Sequence, residues 1–167
     1  MDRDISASEI RKLISYDPDT GEIRWRASKQ GRNANGKAGY TDKRGYVKVG
    51  INYKCYFAHN LIYLYMMGEW PTNVLDHKDL NPGNNSWENL RPATNEQNCH
   101  NRSVHRDNKL GLKGVDKHKR GYRARITLSG KRIELGHFST PEEASVAYNE
   151  AAKWLHGEFA WAGGQHG

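Results

Sequence analysis

The sequence predicts an α+β chain assembled from several small modules, and three observations predict it. The chain has 167 residues with only 36% hydrophobic and 27% charged side chains, and a mean hydropathy of -0.94. At about 100–200 residues per domain this allows one domain or a few very small ones, and small cores rather than a single large one. The apolar pattern switches repeatedly between the alternation of short strands and the spacing of helices. Charge is also uneven: Lys and Arg outnumber Asp and Glu by 26 to 19, for a net +7, yet residues 101–135 carry 11 basic against 3 acidic side chains. Such a localised excess predicts a polyanionic partner, nucleic acid above all.

Other classes are excluded. No window of 18 apolar residues exists and the charged start MDRDISASEIRK does not read as a signal peptide, so no membrane association is expected. Cys55 and Cys99 form no CxxC pair; they are expected to be reduced, buried or inert thiols of a cytoplasmic protein.

In order along the chain, Ser6 or Ser8 caps a first helix with Ile10, Leu13 and Ile14 at helical spacing. YDPDTGEIRW reads as a hairpin around a Pro-Asp-Thr-Gly turn. Residues 28–44, rich in Gly, Asn and Lys, read as a loop. GYVKVGINYKCYFAHN alternates as a second hairpin, and HNLIYLYMMGEW as a short apolar helix stopped by Gly68 and Pro71. The segment VLDHKDLNPGNNSWENLRPATNEQNCHNR reads as a strand ending at Asp76 and His77, a polar loop, a strand from Asn89 to Pro92, and a helix capped by Thr94. After a charged linker, GVDKHKR, GYRARITL and KRIELGHF are three short strands separated by Gly-containing turns. Thr140, Pro141 and Glu143 open a final helix with a capping box; Ala144, Ala147, Tyr148, Ala151 and Leu155 form its stripe, and Gly157 stops it. The expected divisions are 1–70 (hairpin/helix module), 71–103 (strand-loop-strand-helix), 104–110 (linker) and 111–162 (sheet module).

The middle segment carries the chemistry. A neutral imidazole takes a proton from water at cellular pH, which suits His77 as a general base. A carboxylate and an amide oxygen are hard ligands for magnesium or manganese and leave positions open for phosphate oxygens. Asp76 and Asn98 are the expected ligands, with Asn98 one turn into the helix opposite Asp76. Asn89 is expected to hold the imidazole or the loop. Together these suit phosphodiester hydrolysis with one divalent metal ion. Neighbours on a regular strand point to opposite faces, so Asp76 and His77 share a pocket only if the strand is irregular there. Asn- and Gly-rich loops often do no more than turn, and His59, His137 and His156 read as solvated or structural; His100 and Asn101 stand as substitutes or helpers at the site.

The spacing DH-x-D-x-N-x-x-NN-x-x-ENLR-x-AT-x-x-x-N, from Asp76 to Asn98, resembles the HNH nuclease motif of phage homing endonucleases. The resemblance implies a ββα-metal fold, Asp76 and Asn98 as metal ligands, His77 as the base and Asn89 as the residue that positions it. DPDTGEIRW, GYVKV, AHNLIY and GEWP resemble the N-terminal module of the same enzymes.

In GYRARITL, alternation puts Tyr122, Ala124, Ile126 and Leu128 on one face and Arg123, Arg125 and Thr127 on the other. Val115, Ile133 and Leu135 are expected inward; Asp116, His118, Arg132 and Glu134 outward. A sheet presenting arginines fits a major groove. Residues 109–161 also resemble the plant ethylene-response-factor DNA-binding domain, through KGV, YRARI, LGHFSTPEEASVAYNEAA and HGEFA. That likeness implicates His118, Arg120, Arg125, Thr127 and Arg132 in DNA contact, with Arg123 beside them. Asp116 and Glu134 stand where the plant domains carry arginine and tryptophan, so the plant target does not transfer.

The expectation is a monomeric, magnesium- or manganese-dependent endonuclease of double-stranded DNA, homing-type, leaving 5'-phosphate and 3'-hydroxyl ends in the cytoplasm of a bacterial or phage-infected cell. The rival is a DNA-binding regulator with an inactive nuclease-like segment, and RNA binding or cleavage is a third reading.

Overall fold

Ser6 begins the first ordered element because its hydroxyl accepts from Glu9 N while the Glu9 carboxylate accepts from Ser6 N, a reciprocal cap. In this computed structural model, which describes residues 4–28, 33–102, 104 and 107–160, that cap opens α1 (Ala7–Leu13). Ile14, expected on the helix stripe, instead starts β1 (Ile14–Tyr16), which pairs antiparallel with β2 (Ile23–Trp25). The stretch 28–44, expected as loop throughout, contains β3 (Tyr40–Thr41); its residues 29–32 lie outside the described residues. β3 pairs with β4 (Val47–Ile51), and β4 with β5 (Lys54–Phe57). Asn52 and Tyr53, both at positive φ, make the tight turn between the last two. α2 (Ala58–Met67) follows, ended by Gly68 at φ 84.

Ile10, Ile14, Val49, Ile51, Leu61, Ile62 and Leu64 are the largest fully buried side chains, so one core ties α1, β1, β4 and α2 together. Leu90 belongs to the same core, and Trp87 packs on it. β6 (Val74–His77) and β7 (Leu90–Ala93) form a two-stranded antiparallel ladder, with a single 3-10 turn at Trp87–Asn89 leading into β7. α3 (Asn95–His100) starts directly after Thr94.

The chain divides into two units, Met1–Thr94 and Asn95–Gly167. In the second, β8 (Val115–His118), β9 (Gly121–Leu128) and β10 (Lys131–Phe138) form an antiparallel sheet in the order β10-β9-β8. α4 (Pro141–His156) starts on the capping box of Thr140 and Glu143 and covers one face. The core is Val115, Ala124, Ile126, Ala144, Tyr148 and Ala152. Gly114, at φ 70, is obligatory there: a Cβ would lie 2.1 Å from the Tyr148 ring. Ile133 departs from expectation. It pairs with Ile126 across the ladder but is 40% exposed, because α4 packs mainly on β9 and leaves the edge strand less covered. Both cysteines are free and exposed, so of the expected alternatives burial does not hold. Among the described residues no helix is long and apolar enough to cross a membrane.

Candidate active site

Asp76 and His77 close β6, opposite Arg91 and Leu90 of β7. The ladder is regular through this pair, so the two side chains leave the strand toward opposite faces. Both are buried, 5% and 6% exposed. On one face Asp76 Oδ2 accepts from Arg91 Nε (2.9 Å) and Nη2 (2.8 Å). On the other, the His77 ring meets His59 edge-on at 5.2 Å between centroids and Tyr46 at 6.0 Å. Its Nε2 lies 3.4 Å from Asn85 Oδ1, a long contact.

This environment keeps His77 neutral. Burial pulls its imidazole below the ordinary histidine value, against the smaller opposing pull of the Asn85 contact and of the Asp79 and Asp76 carboxylates. His59 is more extreme: burial, helped by His77, pushes it down to about 3. His59 Nδ1 is buried with no hydrogen-bond partner.

Asn85 is held in place from below. Tyr16 Oη donates to Asn85 O (2.9 Å) and Trp87 N to Pro18 O (2.8 Å), so the β1–β2 turn props the loop between β6 and β7. The fit requires Gly21, at φ 74, where a Cβ would come 2.4 Å from Asn85 C and Ser86 N. Asn89 organises the rest of the loop. Its Nδ2 donates to Asp79 Oδ1 (2.9 Å) and Asn84 O (2.8 Å), and its Oδ1 accepts from Asp79 N (3.0 Å). Burial raises the Asp79 pKa, but its bonds from Asn84, Asn81 and Asn89 and the nearby His77 outweigh this, leaving the carboxyl below its usual range.

Asp76, His77 and Asn89, named from the sequence, lie on one hairpin of the first unit, but the irregularity that would let Asp76 and His77 share a pocket is absent from β6. Sequence reasoning missed Tyr46, His59, Asn85 and Arg91. Two of these lie more than fifteen residues upstream and meet His77 only through tertiary packing. Asn85 is one of several asparagines in its loop, and nothing in the spacing marks it. Arg91 was visible in the motif, but its partner depends on the β6–β7 register.

Among the described residues no group of three or more His, Cys, Asp or Glu side chains is placed to hold a metal ion. The Asp76 carboxylate is a hard oxygen donor of the kind magnesium or manganese takes.

Asn98 lies on α3, in the second unit. Within that unit α3 is fastened at both ends. Ser129 N donates to Glu96 Oε1 (2.8 Å), and Lys113 Nζ donates to His100 O and Arg102 O (2.6 Å each). Burial pushes the Lys113 amine down to about 8. The His100 ring stacks on His156 at 3.7 Å, so His100 and His156 meet in packing. Asn101 is 3% exposed.

On the sheet, the face away from α4 carries Asp116, His118, Arg123, Arg125, Thr127, Arg132, Glu134 and His137, by the alternation and register of the strands. Asp116 Oδ2 accepts from Arg123 Nη2 (2.9 Å), and Asp116 Oδ1 from Arg125 Nε (3.0 Å) and Nη2 (2.8 Å). Arg123 Nη1 lies 3.7 Å from Glu134 Oε2. His118 and His137 rings stand 4.9 Å apart. Arg120 is exposed in the β8–β9 turn beside Lys119, which has φ 50.

Residues 56–100 match the family described as HNH endonuclease. The chain is 36% identical over 123 residues to a protein named as an uncharacterized HNH endonuclease of Acanthamoeba polyphaga mimivirus, covering 72% of this chain and 64% of that protein. It is 33% identical over 88 residues to Protein 3.8 of Escherichia phage T7, covering 52% of this chain and 72% of that one. The chain thus spans less than two thirds of the length of the mimivirus protein.

Proposed function

We propose that the chain, whose residues 56–100 match the HNH endonuclease family, is a homing-type endonuclease that hydrolyses phosphodiester bonds of duplex DNA, leaving 5'-phosphate and 3'-hydroxyl ends. The observation that carries this reading is the setting of His77, a neutral, buried imidazole braced by His59, Tyr46 and Asn85. His77 accepts a proton from the attacking water at its unprotonated ring nitrogen. Asn89 fixes the loop through Asp79 and Asn84 and so sets the approach to that ring. Asp76 and Asn98 would hold one magnesium or manganese ion, which when bound supplies positive charge for the phosphorane and the leaving 3'-oxygen. Arg91 orients the buried Asp76 carboxylate through its Nε and Nη2.

The second unit is proposed as the DNA-recognition module, a sheet of the ethylene-response-factor type that places His118, Arg120, Arg123, Arg125, Thr127 and Arg132 toward the duplex. Its arginine face opposite α4 supports this. The division into 1–70, 71–103, a linker at 104–110 and 111–162 belongs to the same proposal, as do a monomer and action in the cytoplasm of an infected or bacterial cell. The competing reading is a DNA-binding regulator with an inert nuclease segment.

Supercoiled plasmid incubated with the full chain and magnesium or manganese separates them. Relaxed or linear plasmid is expected, with cleavage lowered about 100-fold or more by His77→Ala and DNA affinity nearly unchanged. An intact plasmid at every metal favours the regulator, and equal loss of cleavage and binding in His77→Ala overturns its role as base.

A further inference from the structure

The sheet face that would meet DNA is far less positive than residues 101–135 as a whole. It holds Arg123, Arg125 and Arg132, but also the carboxylates of Asp116 and Glu134. Further cations stand at its ends, with Lys119 and Arg120 exposed in one turn and Lys131 exposed at the other. An acid at the centre of such a face lowers the general attraction to phosphates, so its presence calls for a different role.

Its contacts point to one. Asp116 Oδ1 takes both Nε and Nη2 of Arg125, at 3.0 and 2.8 Å, and so grips the side of the guanidinium. The end of the fork, between Nη1 and Nη2, is the part that spans guanine O6 and N7. Asp116 Oδ2 holds Arg123 Nη2, and the Arg123 guanidinium is drawn toward Glu134 as well. Arg123 pays for this placement: its Nε is buried without a hydrogen-bond partner. An arginine set by its own stability would satisfy that donor, so the carboxylates, not local packing, fix the direction of this side chain. With both Asp116 oxygens engaged by arginine, direct acceptance from cytosine N4 is the weaker use of the acid.

We propose that Asp116 is a positioning residue for sequence specificity: it locks Arg125 into an outward fork that reads a guanine edge in a major groove. The turns at the two ends supply the attraction to the backbone. The inference rests on the reading of this sheet as the DNA-recognition face, and it concerns a position where the chain departs from the plant domains it resembles.

The test uses the full chain in metal-free buffer with EDTA, selecting from short duplexes with a randomised centre. The wild type is expected to enrich a guanine-containing motif. Asp116→Asn, which keeps size and removes the charge, should lose about tenfold or more of the preference for that motif over a scrambled duplex, while binding the scrambled duplex at least as tightly as the wild type. Arg125→Lys, which keeps charge and removes the fork, should lose the preference as well. An unchanged ratio in Asp116→Asn overturns the proposal with the sheet reading intact. Equal weakening on both duplexes also overturns it, marking Asp116 as merely structural. If the wild type enriches no motif, or one that Arg125→Lys leaves untouched, the sheet reading itself falls and the inference with it.

Discussion

The pair of histidines in the first unit is where single residues matter most. His59 has its folded pKa near 3, far below the ordinary value of 6.5. Above about pH 6.5 it is neutral whether the chain is folded or not, and pH has no leverage through it. Below that, the unfolded chain binds a proton that the folded one refuses, so stability falls as pH drops from about 6.5 toward about 3, at up to roughly 1.4 kcal/mol per pH unit. Thermal unfolding between pH 7 and pH 4 should show this decline, and His59→Phe should flatten it; an equal slope in the variant would refute the assignment. His77 bends the curve in the same direction, since burial depresses it too. At this scale the sequence was partly readable. Asp76, His77 and Asn89 stand in a motif of fixed spacing, whereas His59, read as solvated or structural, proves structural, and its contact with His77 is decided by packing from α2, not by residues beside it in the chain.

Elements were more legible than their exceptions. The hairpins of β1–β2 and β4–β5, the α2 stop at Gly68 and the Thr140 cap of α4 all follow from local chemistry, so local sequence predicts them. β3 did not announce itself, because two residues paired to β4 carry no alternation to detect. Ile133 shows the limit of alternation, which gives the face but not how far the covering helix extends over an edge strand. Gly21 links an element to the site. Gly21→Ala must place a methyl against the Asn85–Ser86 backbone while holding φ near 74, which should cost about 1–3 kcal/mol of stability and shift Asn85 from His77. Cleavage should therefore drop more than DNA affinity does; identical losses in both would argue against the propped-loop account.

At the level of the molecule, the two cores share no residue: one is built from Ile10, Val49, Leu61 and their neighbours, the other from Val115, Ile126 and Tyr148. Leu61→Ala removes a fully buried side chain from the first and should destabilise it by about 2–5 kcal/mol. In a gel shift the variant should still bind duplex, while plasmid cleavage at warm temperature is lost; loss of both together would deny that the units hold themselves up separately. Two small cores are what the low hydrophobic content foretold. What composition did not foretell is where the division falls. The family match runs through residue 100, yet α3 packs with the second unit, stapled by Lys113 to its last carbonyls and by Glu96 to Ser129. A gene exchange that joined a foreign tail after Thr94 would discard Asn98 altogether. One that joined it after His100 would keep the asparagine and strip away the lysine and the serine amide that hold its helix. On the proposed role of Asn98, inheritance of the whole requires a crossover placed outside both segments, so the tail travels with the motif as a single heritable block.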